Sequence, residues 1–165
     1  MLIFYPFLAP FGYILAPKQP KSDASLFTRI AESSEDEAHL VVYRGKSTYV
    51  LLNRYPYSGG HLMVVPYRQV ASLDALAQEE RSELMETTNR TINILKEVMA
   101  PQGFNVGMNL GSVAGAGIGE HLHMHIVPRW GGDTNFMPVI GSTAVLPQGL
   151  ESLAAQIREA FDALD

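Results

Sequence analysis

Hydrophobic and polar positions alternate in short blocks over most of the chain, and the period changes only once. His39 to Arg44 and Thr48 to Asn53 are rich in β-branched and aromatic residues, with Arg44-Gly45-Lys46-Ser47 between them. That pattern predicts a hairpin. Tyr55-Pro56-Tyr57-Ser58-Gly59-Gly60 makes a turn-rich link into a third strand, His61 to Pro66. The period then becomes helical. Leu73, Leu76, Leu84, Thr88, Ile92, Leu95 and Met99 predict a helix from about Ser72, as N-cap, to Met99, closed by Pro101-Gln102-Gly103. Glu79, Glu80, Glu83 and Glu86 fall on its other face and read as a solvated surface. Phe104 to Leu110 reads as a fourth strand, Gly111 to Glu120 as a glycine-rich loop and His121 to Pro128 as a fifth strand. Gly131 and Gly132 open a further loop, and Leu150 to Leu164 suits a short amphipathic helix.

The flanks are less regular. The opening run MLIFYPFLAPFGYILAP, residues 1–17, lacks a basic start and is broken by Pro6, Pro10 and Gly12. It falls short of the roughly 20 apolar residues of a spanning helix, so an apolar arm packed on the domain or a partner subunit is expected. Lys18 to Glu37 is polar and reads as a surface loop with at most one helical turn. No repeat and no second domain are visible. Strands around one long helix, without regular βαβ alternation, predict one α+β domain with a mainly antiparallel sheet.

Composition narrows the function classes. The 165 residues are 47% hydrophobic and 18% charged, too apolar for disorder. With 12 basic against 17 acidic side chains the net charge is −5, which argues against nucleic acid or an anionic membrane as partner. A small anion remains compatible with local donors. The absence of cysteine excludes a disulfide framework, a thiol nucleophile and thiolate-bound metal. A soluble cytoplasmic protein is expected.

The chemistry concentrates in His121-Leu122-His123-Met124-His125. On a strand, alternation sets three imidazoles on one face and Leu122, Met124 and Ile126 on the other. Successive same-face residues lie about 6.6 Å apart, so three do not converge easily on one metal ion. The competing reading is nucleophilic: the middle imidazole attacks phosphorus while its neighbours hold its tautomer and donate to phosphate oxygens. Gly111-Ser112-Val113-Ala114-Gly115-Ala116-Gly117-Ile118-Gly119 can bring backbone N–H groups up to an anion. It is neither a Walker A loop nor a dinucleotide fingerprint, since it lacks their spacing and leads into a strand. Placed before three aligned histidines, it favours phosphorus chemistry.

His121-Leu122-His123-Met124-His125-Ile126-Val127 resembles the signature of the histidine triad (HIT) superfamily of nucleotide hydrolases and transferases. Asn53 to Pro66 resembles that family's asparagine-to-histidine strand lead-in, and Asn109-Leu110-Gly111 its N-x-G. Phe7-Leu8-Ala9-Pro10, Tyr13-Ile14 and Pro128-Arg129-Trp130 with Gly132 to Phe136 are similar to the bacterial branch compared with diadenosine tetraphosphate phosphorylases. The resemblance implies a five-stranded antiparallel sheet with one long and one short C-terminal helix, in a homodimer. It implies His123 as nucleophile, flanked by His121 and His125 and supported by His61. It implies Asn53 at the ribose, and Asn109, Gly115 and Gly117 beside the phosphates.

It further implies a small nucleotide substrate, with or without bound magnesium, and no prosthetic group. Many relatives carry C-x-x-C, which with histidines binds zinc; Ser25-Leu26-Phe27-Thr28 stands there, so no metal site is expected. Gly117 stands where the hydrolases of the fragile-histidine-triad group carry glutamine. Nucleotidyl transfer from a dinucleoside polyphosphate through a nucleotidyl-histidine, with phosphate as acceptor, is the expectation. The alternatives are a hydrolase of dinucleoside polyphosphates or nucleoside phosphoramidates, a metal-dependent hydrolase, and a non-catalytic nucleotide-binding module.

Overall fold

The hairpin residues pair as the alternation demands. In the computed structural model, which describes residues 3–6, 24–141 and 143–164, β2 (Val41–Arg44) and β3 (Thr48–Leu52) run antiparallel, with Arg44 opposite Tyr49. Numbering starts from β1 (Ile3–Pro6), which lies outside this sheet. Strand β4 (Leu62–Pro66) pairs with β3 along its whole length, from Thr48 opposite Pro66 to Leu52 opposite Leu62. β5 (Gly103–Gly107) and β6 (Met124–Arg129) complete a five-stranded antiparallel sheet in the order β2-β3-β4-β6-β5.

Every residue of β3 and β4 is buried. This full burial, in place of an in–out alternation, arises because both faces of the sheet are covered. Val50, Leu52, Leu62, Val64, Leu122 and Ile126 face α3 (Gln78–Met99) and α5 (Leu150–Asp162), joining Leu84, Leu95, Ile157 and Phe161. Tyr49, Leu51, Met63 and Val65 face the other way and take Phe27 and Ile30 of α1 (Leu26–Glu32).

The polar stretch up to Glu37 is therefore not simply a loop. It contains α1, with Ser25 as N-cap accepting the Thr28 N–H, and the short α2 (Asp36–His39). Phe27 and Ile30 are three apart, which is enough to bury one face. Arg44 ties both helices to β2, donating to the Asp36 carboxylate and to the carbonyls of Ile30, Ala31 and Ser33.

The long helix begins later than its periodicity suggests. Ser72 precedes a single 3-10 turn, Leu73–Ala75, and Leu76 and Ala77 are extended, so α3 starts at Gln78. Glu80 caps that end by accepting the Ala77 N–H at 2.7 Å and pairs with Arg68 at 2.6 Å. Glu83 also departs from the solvated reading. Its carboxylate accepts the Ser47 and Thr48 N–H groups and both their hydroxyls, closing the β2–β3 turn. These bonds hold the carboxyl below its usual range against the opposing effect of burial.

The fourth strand spans Gly103–Gly107 rather than ending at Leu110, and the fifth starts at Met124 rather than His121. α4 (Met137–Gly141) and β7 (Thr143–Leu146) follow β6, and β7 pairs antiparallel with β1. Ile3–Pro6 of the apolar arm is thus a strand, while residues 7–17 lie outside the described residues. No helix among the described residues is long and apolar enough to cross a membrane.

Candidate active site

Four histidines meet where β4, β6 and the segment before β6 converge, all nearly inaccessible: His61 0%, His121 1%, His123 7% and His125 9% exposed. Their partners fix where each proton sits, because a backbone carbonyl only accepts and a backbone N–H only donates. His123 Nδ1 lies 2.9 Å from its neighbour's carbonyl, His121 O, so Nδ1 carries the hydrogen and Nε2 keeps a lone pair. A neutral imidazole with a free Nε2 lone pair is what nucleophilic attack on phosphorus needs.

The second chain of bonds starts at Tyr57. Its N–H donates to His61 Nδ1 at 3.2 Å, so the His61 proton is on Nε2, 2.9 Å from His125 Nδ1. That bond makes Nδ1 of His125 an acceptor and leaves the hydrogen on its Nε2. His125 Nε2 is buried and has no hydrogen-bond partner among the described residues. A buried, unpaired donor costs about 1–3 kcal/mol and marks a place where a ligand oxygen gains most. The two imidazoles therefore present opposite functions. His123 offers a lone pair and His125 a proton, with ring centroids 4.7 Å apart.

The third ring is closed at both nitrogens. His121 Nε2 donates to Pro66 O at 2.8 Å, and Nδ1 accepts from Ser25 Oγ at 2.6 Å. Phe27 touches both His121 and His123, with centroids 5.6 and 5.0 Å away. Burial pushes all four pKa values down, to about 3 for His61 and about 4 for His125, with nearby histidines adding to both. For His121 and His123 the direction is the same, burial outweighing the carbonyl bonds. All four are neutral at pH 7.

A cavity of about 730 Å³ opens beside His125, lined among others by Tyr57, Asn105, Asn109, Arg129, Trp130 and Asn135. A slightly larger one of about 790 Å³ runs past Tyr43, Glu83 and Arg90 along α3 but contains no histidine. Chemistry, not size, selects the first. Of the residues expected at the site, His125 and Asn109 line it; His61, His121 and His123 do not, the His123 ring lying 4.7 Å from that of His125. Asn53 is placed behind His61: its Nδ2 lies 3.3 Å from His61 Nδ1 and its Oδ1 accepts the Tyr55 N–H, an Asx turn. Gly115 and Gly117 are exposed on the loop before the triad and do not line the cavity; Gly115 needs its φ of +88°. Asn109 Nδ2 reaches Gly115 O at 3.5 Å, which ties that loop to the cavity wall.

Sequence reasoning passed over Tyr57, Pro66 and Gln69. Only Tyr57 and Pro66 sat in a recognisable motif; Gln69 carries no local signal. A zinc ion does not fit the donor set at His121. The surrounding groups are two hydroxyls and an amide, and both ring nitrogens are already hydrogen-bonded.

The sheet and the segment leading into β6 thus set an imidazole lone pair beside an imidazole N–H, an arrangement suited to chemistry at phosphorus. The chain belongs to the HIT domain family, whose model matches residues 34–132. It is 53% identical over 132 residues to a protein of Mycobacterium tuberculosis named AP-4-A phosphorylase, covering 80% of this chain and 67% of that protein. It is 32% identical over 89 residues to the asymmetrical bis(5'-nucleosyl)-tetraphosphatase of Schizosaccharomyces pombe, covering 54% and 48%. A histidine triad nucleotide-binding protein of Sulfolobus tokodaii superposes with a TM-score of 0.68 at 26% identity, covering 84% and 92%.

Proposed function

We propose that this protein is a nucleotidyltransferase that phosphorolyses dinucleoside polyphosphates. The observation that carries the reading is the opposed pair, His123 with a free Nε2 lone pair and His125 with an unpaired Nε2–H. On diadenosine tetraphosphate, His123 Nε2 bonds to the α-phosphorus and the bond to the bridging oxygen breaks, releasing ATP. The unpaired His125 N–H meets the negative charge that develops on the phosphate oxygens or the leaving oxygen. An oxygen of orthophosphate then attacks the nucleotidyl-histidine, the phosphorus–nitrogen bond breaks, and ADP leaves. His121, through its carbonyl, and His61, through His125, hold the two tautomers.

One fact favours phosphate over water as acceptor: the relative at 53% identity is named a phosphorylase. No prosthetic group takes part in this scheme. We further place the protein in the cytoplasm as a homodimer, with the outer edge of β5, where Val106 is 43% exposed, as the surface for a second copy.

The test is incubation with diadenosine tetraphosphate with and without orthophosphate. ADP plus ATP formed only with phosphate supports the proposal. AMP plus ATP at a rate indifferent to phosphate makes the protein an asymmetrical hydrolase instead, and nucleotide binding without turnover makes it a binding module.

A further inference from the structure

The end of β4 and the residues that follow it hold the leading triad residue from several sides. Pro66 O takes the His121 Nε2 proton, and Val70 O takes the Leu122 N–H at 2.7 Å. Gln69 acts between them at one remove. Its side-chain atom nearest Ser25 receives the Ser25 N–H at 2.8 Å and the Thr28 hydroxyl at 2.9 Å, so it is the amide oxygen. With the Thr28 hydrogen committed to Gln69 and the Thr28 N–H bonded to Ser25 Oγ, the Ser25 hydroxyl hydrogen has His121 Nδ1 at 2.6 Å as its nearer acceptor, ahead of Thr28 Oγ1 at 3.1 Å. Ser25 is 4% exposed, so water does not compete for that bond.

We infer that Gln69 is a positioning residue for the nucleophile: by accepting from Ser25 and Thr28 it locks the His121 ring, and the His121 carbonyl holds the proton of His123 on Nδ1. The inference rests on His123 being the nucleophile proposed above. Without the Gln69 oxygen, the Ser25 N–H and Thr28 hydroxyl lose their acceptor at the N-terminus of α1. The Ser25 hydroxyl is then free to turn from His121, and the carbonyl that selects the His123 tautomer is no longer fixed. A histidine in the wrong tautomer points a hydrogen, not a lone pair, at phosphorus.

The experiment compares wild type, Gln69→Met and Gln69→Glu by ¹⁵N NMR of labelled histidine and by steady-state kinetics on diadenosine tetraphosphate with phosphate. Methionine keeps the volume and removes the acceptor; glutamate keeps the acceptor. Expected are a His123 signal of pure Nδ1–H form in wild type and Gln69→Glu, and a mixed or shifted signal in Gln69→Met. In Gln69→Met, kcat should fall about tenfold or more with KM within about twofold, the pattern of a lost supporting contact. Wild-type kcat and an unchanged His123 signal in Gln69→Met overturn the inference, as does a Gln69→Glu variant as impaired as Gln69→Met. If Gln69→Met does not fold, Thr28→Val, which removes one hydroxyl from the circuit, must itself mix the His123 tautomers or the inference fails. The NMR arm decides the tautomer lock even where no turnover is seen, which separates its failure from that of the proposed reaction.

Discussion

Mild acid should destabilise this protein through its histidines before its carboxylates titrate. The folded state keeps His61 and His125 neutral, with pKa values near 3 and 4, because burial removes the water that would stabilise imidazolium. In the unfolded chain both return to about 6.5. At pH 7 and above the two states bind nearly the same number of protons at these rings. As pH falls below 6.5 the unfolded chain takes up protons that the folded chain refuses, so stability declines, and it levels only near the folded pKa values. Between pH 7 and pH 5 each such ring removes about 1.9 kcal/mol by this linkage, so the pair removes about 3–4 kcal/mol. Burial of His121 and His123 acts with the same sign. Against a typical domain stability of 5–15 kcal/mol, that loss is large. Glu80 and Glu83, held below their usual range by hydrogen bonds, act in the same direction only below about pH 5, which keeps the windows apart. Urea denaturation at pH 7, 6 and 5, at one protein concentration, measures the effect. The variant His61→Leu should show about half the pair's slope. A loss of less than about 1 kcal/mol between pH 7 and 5 would refute the neutral, desolvated cluster.

Three further outcomes are expected. His123→Ala should abolish turnover while nucleotide binding and the unfolding midpoint stay near wild type; a residual rate above about a tenth of wild type is too much for a lost covalent nucleophile. Ala100 closes α3 at φ +47°, so Ala100→Gly should raise stability by about 0.5–1 kcal/mol, read as a higher thermal midpoint. The purified protein should contain no stoichiometric zinc by elemental analysis, because Ser25 and Thr28 offer hydroxyls that are already bonded to His121 and Gln69.

What the sequence determined by itself is whatever rests on neighbours along the chain. Alternation over a few residues marked the hairpin, β4 and the strand of the triad, and the helical period marked the body of α3, because each depends on local geometry. The run from His121 to His125 with Asn109 and His61 carried the family, because its residue types and spacing are legible within short stretches of chain. Boundaries were less legible. Ser72 has the chemistry of an N-cap, yet α3 starts at Gln78, where Glu80 meets both Ala77 and Arg68. α1 was hidden in a polar stretch because only Phe27 and Ile30 face the sheet. Glu83 sits on the polar face of a helix, and nothing nearby in sequence announces the Ser47 and Thr48 amides it closes. The protonation of His123 is set inside the triad, by the His121 carbonyl two residues before it. Nothing within the triad says which nitrogen of His121 or His125 carries hydrogen. That is decided by Pro66 O at His121, by Tyr57 N–H through His61 at His125, and by a serine 96 residues from His121, brought there when α1 packs across the sheet. The residue types set the available chemistry, and long-range hydrogen bonds in a dry interior chose between a lone pair and a proton at each nitrogen of His121 and His125.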